Sequence, residues 1–299
     1  MQDRGRVVAA LLAVWVLWGS TFLGIRVVVQ SVPPLLAAGV RFALAGVLLL
    51  IGLCWWWRRR SLPGPRDRLR GRTGRLALLG LLHFLCANGL VSVASEDLHS
   101  GAAGTYFATV PIWVLLLRGR PGLGDLGAAA LGLVGVGVLL GFEAGPLAPS
   151  LLVLLAAVLW ALAGRIAAGA DGGSGPAPGA ALSSAVQMIC GGAGLLTASA
   201  IGGEWSRLRP AALADPMVWL AQAHLVFLGS LVGFLAYVWL VGRVDQRLAS
   251  TYSYVNPMVA VALGALVLNE ELTPATLAGT ACLTAAVAWT VRTTTGRPQ

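Results

Sequence analysis

Trp15, Trp18, Phe22 and Arg26 follow one another at spacings of three, four and four, so on a helix they share one face. An aromatic wall ending in a cation suits an amphiphile with a carboxylate. The alternative is a packing stripe whose Arg26 snorkels to water at the end of its helix. Arg41 lies seven residues into the next apolar run, roughly 10 Å along a helix from its start. A charge at that depth marks a functional site or an ion pair, and the pair assigned to it is with Glu96, Asp97 or Glu271, sealing the outer end. His83 and Asn88 fall mid-run, and His224 lies in the outer third of another run. Either histidine is a candidate for proton exchange during a transport cycle, or a neutral hydrogen-bonded interior group. No Asp or Glu occupies the interior of any apolar run, which disfavours a carboxylate proton relay and a buried-acid site for cationic solutes.

Pro111 and Pro257 sit inside two further runs, where each removes a helical hydrogen bond and frees the carbonyl four residues earlier, at Phe107 and Ser253. Freed carbonyls in lipid need donors. Thr105, Tyr106, Thr109, Tyr252 and Asn256 are close enough in sequence to supply them, or a substrate ammonium does, at a kink that also serves as a hinge. Thr21 and Trp160 complete the candidate binding set, with Trp160 expected to face Trp18.

These residues must be positioned by membrane helices. Of 299 residues, 57% are hydrophobic and 11% charged, and mean hydropathy is +0.80, well outside the composition of a soluble domain. A spanning helix needs about 20 apolar residues. Ten such runs are drawn, at 7–29, 34–57, 76–95, 100–117, 123–141, 147–167, 179–201, 217–241, 247–268 and 273–292. None shows the alternation of a barrel strand. The fold class is therefore all-α integral membrane with ten spans. The first run is expected to be a retained helix, since it has no small-residue cleavage pattern.

All 21 basic residues are Arg. Seventeen fall on one side of the alternating runs, among them Arg58, Arg59 and Arg60, whereas the other side has only Arg207 and Arg209 with Glu96, Asp97, Glu143, Glu204, Asp215, Glu270 and Glu271. Positive residues stay cytoplasmic, so both termini are expected there. The Arg-rich loop at 58–75 reads as an interface anchor for membrane lipid rather than a nucleic-acid site. Cys54, Cys86, Cys190 and Cys282 each lie in an apolar run without metal-ligand spacing, and read as packing residues. No metal or cofactor is expected.

Residues 103–111 and 249–257 match at Ala, Thr, Tyr and Pro in one register, and the same offset roughly pairs Trp18-Gly19 with Trp160-Ala161. Five duplicated helices place the second copy upside down. This predicts two inverted repeats, 1–145 and 146–299, around a site near the midplane, and a functional monomer because both repeats share one chain.

Trp18-Gly19-Ser20-Thr21-Phe22, Arg26, Pro33-Pro34, Ala38-Gly39-Val40-Arg41-Phe42, Tyr252-Ser253-Tyr254-Val255-Asn256-Pro257 and Glu270-Glu271 together resemble an EamA-type member of the drug/metabolite transporter superfamily. The resemblance covers the whole chain. It implies a ten-helix inner-membrane carrier, YddG-like, exporting amino acids or other small metabolites through a cavity lined by spans 1, 3, 4, 6, 8 and 9. Absent interior acids leave facilitated diffusion as the simplest mechanism, with histidine-based coupling second. A carrier of phosphorylated sugars or nucleotide sugars needs several basic residues at mid-depth, and only Arg26 and Arg41 qualify. A membrane enzyme acting on lipid-linked substrates needs clustered acids or metal ligands, which only Glu96-Asp97 with His99 approach. Primary pumping lacks a Walker motif in this chain.

Overall fold

The computed structural model describes residues 2–60, 69–98, 100–119, 122–139, 146–169, 179–268 and 274–295. All regular structure among them is helical. In chain order the helices are α1 (Gln2–Val29), α2 (Pro34–Arg59), α3 (Thr73–Ala94), α4 (Ser100–Phe107), α5 (Val110–Arg118), α6 (Leu123–Leu139), α7 (Leu147–Ala167) and α8 (Ala180–Ile201). Two short helices follow, α9 (Glu204–Arg207) and α10 (Pro210–Ala214), then α11 (Pro216–Val241), α12 (Gln246–Ala249), α13 (Tyr252–Leu268) and α14 (Pro274–Thr295). Six of these are long and apolar enough to cross a membrane: α1, α2, α3, α7, α8 and α11.

The punctuation is mostly proline and glycine. Pro34, Pro210 and Pro216 open helices in the first turn, where a missing N–H costs nothing and the fixed φ is already helical. Asp215 caps α11 by accepting from Met217 N at 2.8 Å. Glu204 is buried and caps α2 from a distance in sequence, accepting from Leu36 N at 2.8 Å and from Ser199 Oγ at 2.9 Å. An acid read from sequence as a surface-loop charge is thus a helix cap, placed at the positive end of a helix dipole.

The fourth apolar run differs from expectation. It is two helices, α4 and α5, broken at Ala108-Thr109, so Pro111 stands in the first turn of α5 rather than inside a helix. Pro257 does lie inside a helix, α13, which continues past it to Leu268. The ninth run is divided instead before Tyr252, where α12 ends.

Helices from the two halves of the sequence interleave. α2 lies along α8, α6 along α14, α1 against α11 and α13, and α7 against α3 and against α4 with α5. These pairings are preserved if runs one to five are exchanged for runs six to ten. Both α3 and α11, the third and eighth runs, also carry a π-helical stretch in the same part of the run, Leu81–Asn88 and Leu225–Phe234. Such stretches insert an extra residue per turn and recur at functional sites. Large apolar side chains such as Val8, Leu12, Val16 and Leu23 of α1 are exposed on the outside, as a lipid-facing belt requires.

The α2–α8 and α3–α8 crossings rest on glycine. A Cβ on Gly192 would collide with the Ala43 backbone, and one on Gly191 with the Gly80 carbonyl, so these helices pack backbone to backbone.

One ion pair ties the halves at their Arg-rich end. Arg247 Nη1 lies 2.7 Å from Asp125 Oδ1 and Arg247 Nε 3.2 Å from Asp245 Oδ1, with the Arg247 and Asp125 side chains only 12% and 7% exposed. Removing Arg247 takes from Asp125 and Asp245 the cation they share in a largely buried setting. Arg247→Met is therefore expected to cost on the order of 3 kcal/mol, read as a lower thermal midpoint in detergent. Adding Asp125→Asn should restore part of the loss. A single variant as stable as the parent would make the pair a surface ornament.

Candidate functional site

A small cavity of about 50 Å³ sits where α1, α2, α3, α4, α7, α11 and α13 converge. A water needs roughly 10–15 Å³ on this measure, so the cavity holds a few waters and no metabolite without the helices moving apart. Its wall is aromatic. Trp18 contacts Trp160 edge-on at 5.3 Å between ring centroids and Tyr252 at 4.8 Å, while Phe107 meets Phe22 at 6.0 Å and Trp160 at 5.9 Å. Trp18 Nε1 donates to the Gly229 carbonyl at 3.0 Å. The approach requires glycine nearby, since a Cβ on Gly233 would sit 2.5 Å from that nitrogen.

Seven of the ten sequence-assigned binding residues line the cavity: Trp18, Thr21, Phe22, Asn88, Trp160, Tyr252 and Asn256. Tyr106 and Thr109 do not. At the break between α4 and α5, Thr109 Oγ1 donates to the Tyr106 carbonyl at 2.7 Å and accepts from Trp113 Nε1 at 3.1 Å, while the neighbouring Phe107 takes the inward position. Of Thr105 the structure describes the helical backbone alone. His83 stands behind the wall, 4.6 Å from the Trp160 ring, with Nδ1 3.1 Å from Gln187 Oε1.

The charges are arranged differently from the sequence expectation. Arg26 Nη1 donates to the carbonyls of Ser95 and Glu96 at 2.6 and 2.7 Å, so it closes the end of α3 and neither lines the cavity nor snorkels. Arg41 does line it. Its Nε donates to Ser230 Oγ at 2.8 Å and its guanidinium lies 4.5 Å from the Phe42 ring centre, with no carboxylate within 4.0 Å among the described residues. The expected seal with Glu96 or Asp97 is absent, because Glu96 faces the exposed Arg207 at 3.4 Å. Glu271 and His99 lie outside the described residues. His224 Nε2 is 3.0 Å from Ser20 Oγ, away from the cavity wall.

Several buried polar atoms crowd this region without a well-aligned hydrogen bond among the described residues: Trp160 Nε1, which lies toward the Tyr237 and Tyr252 hydroxyls, Tyr252 OH itself, Asn256 Oδ1 and His83 Nε2. Each such atom costs about 1–3 kcal/mol of desolvation, and native proteins retain few of them. Three of the four belong to cavity-lining residues.

Span two was missing from the expected lining, although Arg41 and Phe42 put it there. Gln187 and Ser230, which hold His83 and Arg41, also went unnoticed. Their only sequence signal was polarity inside an apolar run. Toward the Arg-rich end a separate vestibule of about 340 Å³ opens, lined by Arg72, Arg75, Arg243, Ser183 and Gln187, with His83 and Tyr237 shared with the aromatic cluster. Its basic rim attracts anions.

A family model described as the EamA-like transporter family matches residues 5–141 and again 147–292. The chain is 36% identical over 270 residues to a protein named Uncharacterized inner membrane transporter YedA from Escherichia coli K12, covering 88% of this chain and 83% of that one. It is 26% identical over 283 residues to the S-adenosylmethionine/S-adenosylhomocysteine transporter of Chlamydia trachomatis, covering 87% and 81%. One solved crystal structure superposes with a TM-score of 0.75 at 19% identity, over 97% of this chain and 98% of that one.

Proposed function

This chain belongs to the EamA-like transporter family of membrane proteins, and from that premise we propose that it is a secondary carrier of small amphiphilic metabolites, most simply aromatic or neutral amino acids, in the manner of YddG-like exporters. The observation that carries the reading is the aromatic box with unpartnered polar atoms in its wall. Ring faces recognise a flat apolar moiety, and an indole N–H, a phenol and an amide oxygen recognise a polar head.

Transport follows from rocking of two inverted five-helix halves, 1–145 and 146–299, about the cavity. The twofold match of the family model, the exchangeable helix pairings and the corresponding π-helical stretches support that reading. Ten spans, both termini in the cytoplasm and residence in a bacterial inner membrane accord with the arginine distribution and the YedA relative. The vestibule then faces the cytoplasm, and Arg26 with the Glu96–Arg207 pair lies at the outer side. Pro257 and the break before Pro111 supply the hinges.

The test is uptake of labelled amino acids, nucleotide sugars and S-adenosylhomocysteine into liposomes carrying the purified protein, with and without an imposed pH gradient. Amino-acid flux indifferent to the gradient is expected. Gradient-driven flux would make His83 and His224 coupling residues. A second reading, favoured by the Chlamydia relative, is S-adenosylhomocysteine itself, whose base also fits a ring-lined box. Flux of phosphorylated solutes alone would overturn both.

A further inference from the structure

Arg41 is 5% exposed and faces the central cavity. Its Nε is held by Ser230 and its flat face lies against Phe42, which fixes the guanidinium plane and leaves the two terminal nitrogens unbonded to any described residue. The Nη2 edge lies toward Gly229, another cavity residue, where a Cβ would come within 3.0 Å of it. Among the described residues the charged and titratable side chains around it offer no compensation. His224 bonds Ser20, Glu96 is drawn to Arg207, Asp97 is exposed, and Glu204 is committed to capping α2. A buried charge with no counterion among the described residues is strongly unfavourable unless something supplies one.

We propose that Arg41 is the receptor for a carboxylate on the transported substrate. The inference rests on the carrier reading above and narrows its substrate class to amphiphiles bearing a single negative group beside an aromatic or apolar part. The planar fork of a guanidinium matches a carboxylate bidentately. One cation balances one negative charge, whereas a phosphate dianion would leave the cavity net negative. Asn256 Oδ1, in the same wall and without a donor, is the acceptor for an accompanying ammonium. Arg26, the more obvious cation at the end of the α1 aromatic stripe, is excluded because it lies outside the cavity wall, its Nη1 held by the backbone carbonyls at the end of α3.

The experiment pairs each carboxylate-bearing solute with a partner that keeps the ring and lacks the carboxylate: L-tryptophan with L-tryptophanamide, which retains the amine, and S-adenosylhomocysteine with adenosine, which carries no charge. Thermal stabilisation and competition for uptake are measured on the full chain and on Arg41→Lys and Arg41→Met. The wild type should respond to the carboxylate-bearing solutes and ignore the partners that lack the carboxylate. Arg41→Lys should weaken the acid response about 10- to 100-fold, the worth of a charge-assisted hydrogen bond, and Arg41→Met should abolish the distinction. Ligand-free Arg41→Met should melt at or above the wild-type temperature, since an uncompensated charge has gone. Equal response to a solute with the carboxylate and its partner without it overturns the assignment while leaving the carrier reading intact, as does a ligand-free Arg41→Met that melts well below wild type. If nothing in the panel binds or moves, the amino-acid reading fails, and the ligand-free melting comparison alone decides whether Arg41 remains the receptor for another carboxylate.

Discussion

Gly192→Val is expected to force α2 away from α8 and to cost on the order of 3 kcal/mol or more, a large fraction of the stability of a typical domain. The reason is geometric. At Gly192 the obstacle is the Ala43 backbone, and at Gly191 the Gly80 carbonyl, neither of which can rotate aside as a side chain can. Because α8 packs on α2 and α3 together, any displacement also disturbs Arg41 and Phe84 on the cavity side of those helices. Gly52→Val on the same α2 meets nothing within 4 Å, so it should leave the melting temperature unchanged. Thermal melting and size-exclusion behaviour of the two variants in detergent make the comparison. A Gly192→Val protein that stays monodisperse and melts with the parent would show that α2 and α8 are not in backbone contact.

The helices were legible because lipid leaves few choices. Each apolar run long enough to cross must satisfy its own backbone, and the described part of every run drawn from the sequence is helical apart from its ends and the breaks at 108–109 and 250–251. The residues that face inward were legible where an aromatic recurred at helical spacing, as with Trp18 and Phe22, or where an offset between repeats paired two indoles, as with Trp160. What escaped was anything depending on local departure from an α-helix. The break at Ala108-Thr109 rotates Phe107 rather than Tyr106 into the cavity, and the π-helical stretches of α3 and α11 shift the register around His83 and Gly229. Hydropathy is blind to both.

Charges were the harder case. Arg26 and Arg41 look alike in sequence, each an arginine on a membrane-buried helix. What separates them is the partner: one reaches the frayed end of α3 and is consumed there, the other meets a single hydroxyl and a ring. Partner identity is set by tertiary contacts between residues 69 to 189 positions apart, and no local pattern encodes it. Glu204 follows the same logic, a loop acid whose role is decided by the N-terminus of α2 lying beside it.

Trp160 gives the sharpest separation of binding from packing. Its ring touches Trp18, His83, Phe107 and Tyr237, so Trp160→Ala should open a cavity costing about 3–5 kcal/mol and abolish flux for a reason that says little about function. Trp160→Phe is the informative change. It keeps an aromatic ring in the wall and deletes a buried indole N–H that makes no well-aligned hydrogen bond among the described residues, the Tyr237 and Tyr252 hydroxyls lying near it. The apolar area lost destabilises, while removing an unsatisfied donor relieves about 1–3 kcal/mol, so the two effects offset and melting should move little. Substrate binding does not share that compensation. If the N–H is reserved for the polar head of the substrate, Trp160→Phe loses one hydrogen bond present only in the complex, and the apparent KM for uptake should rise about 3- to 10-fold with the protein still folded. An unchanged KM together with a fall in melting temperature would make Trp160 a packing residue, and the recognition of the polar head would pass to Tyr252 and Asn256, whose unpartnered oxygens lie in the same wall.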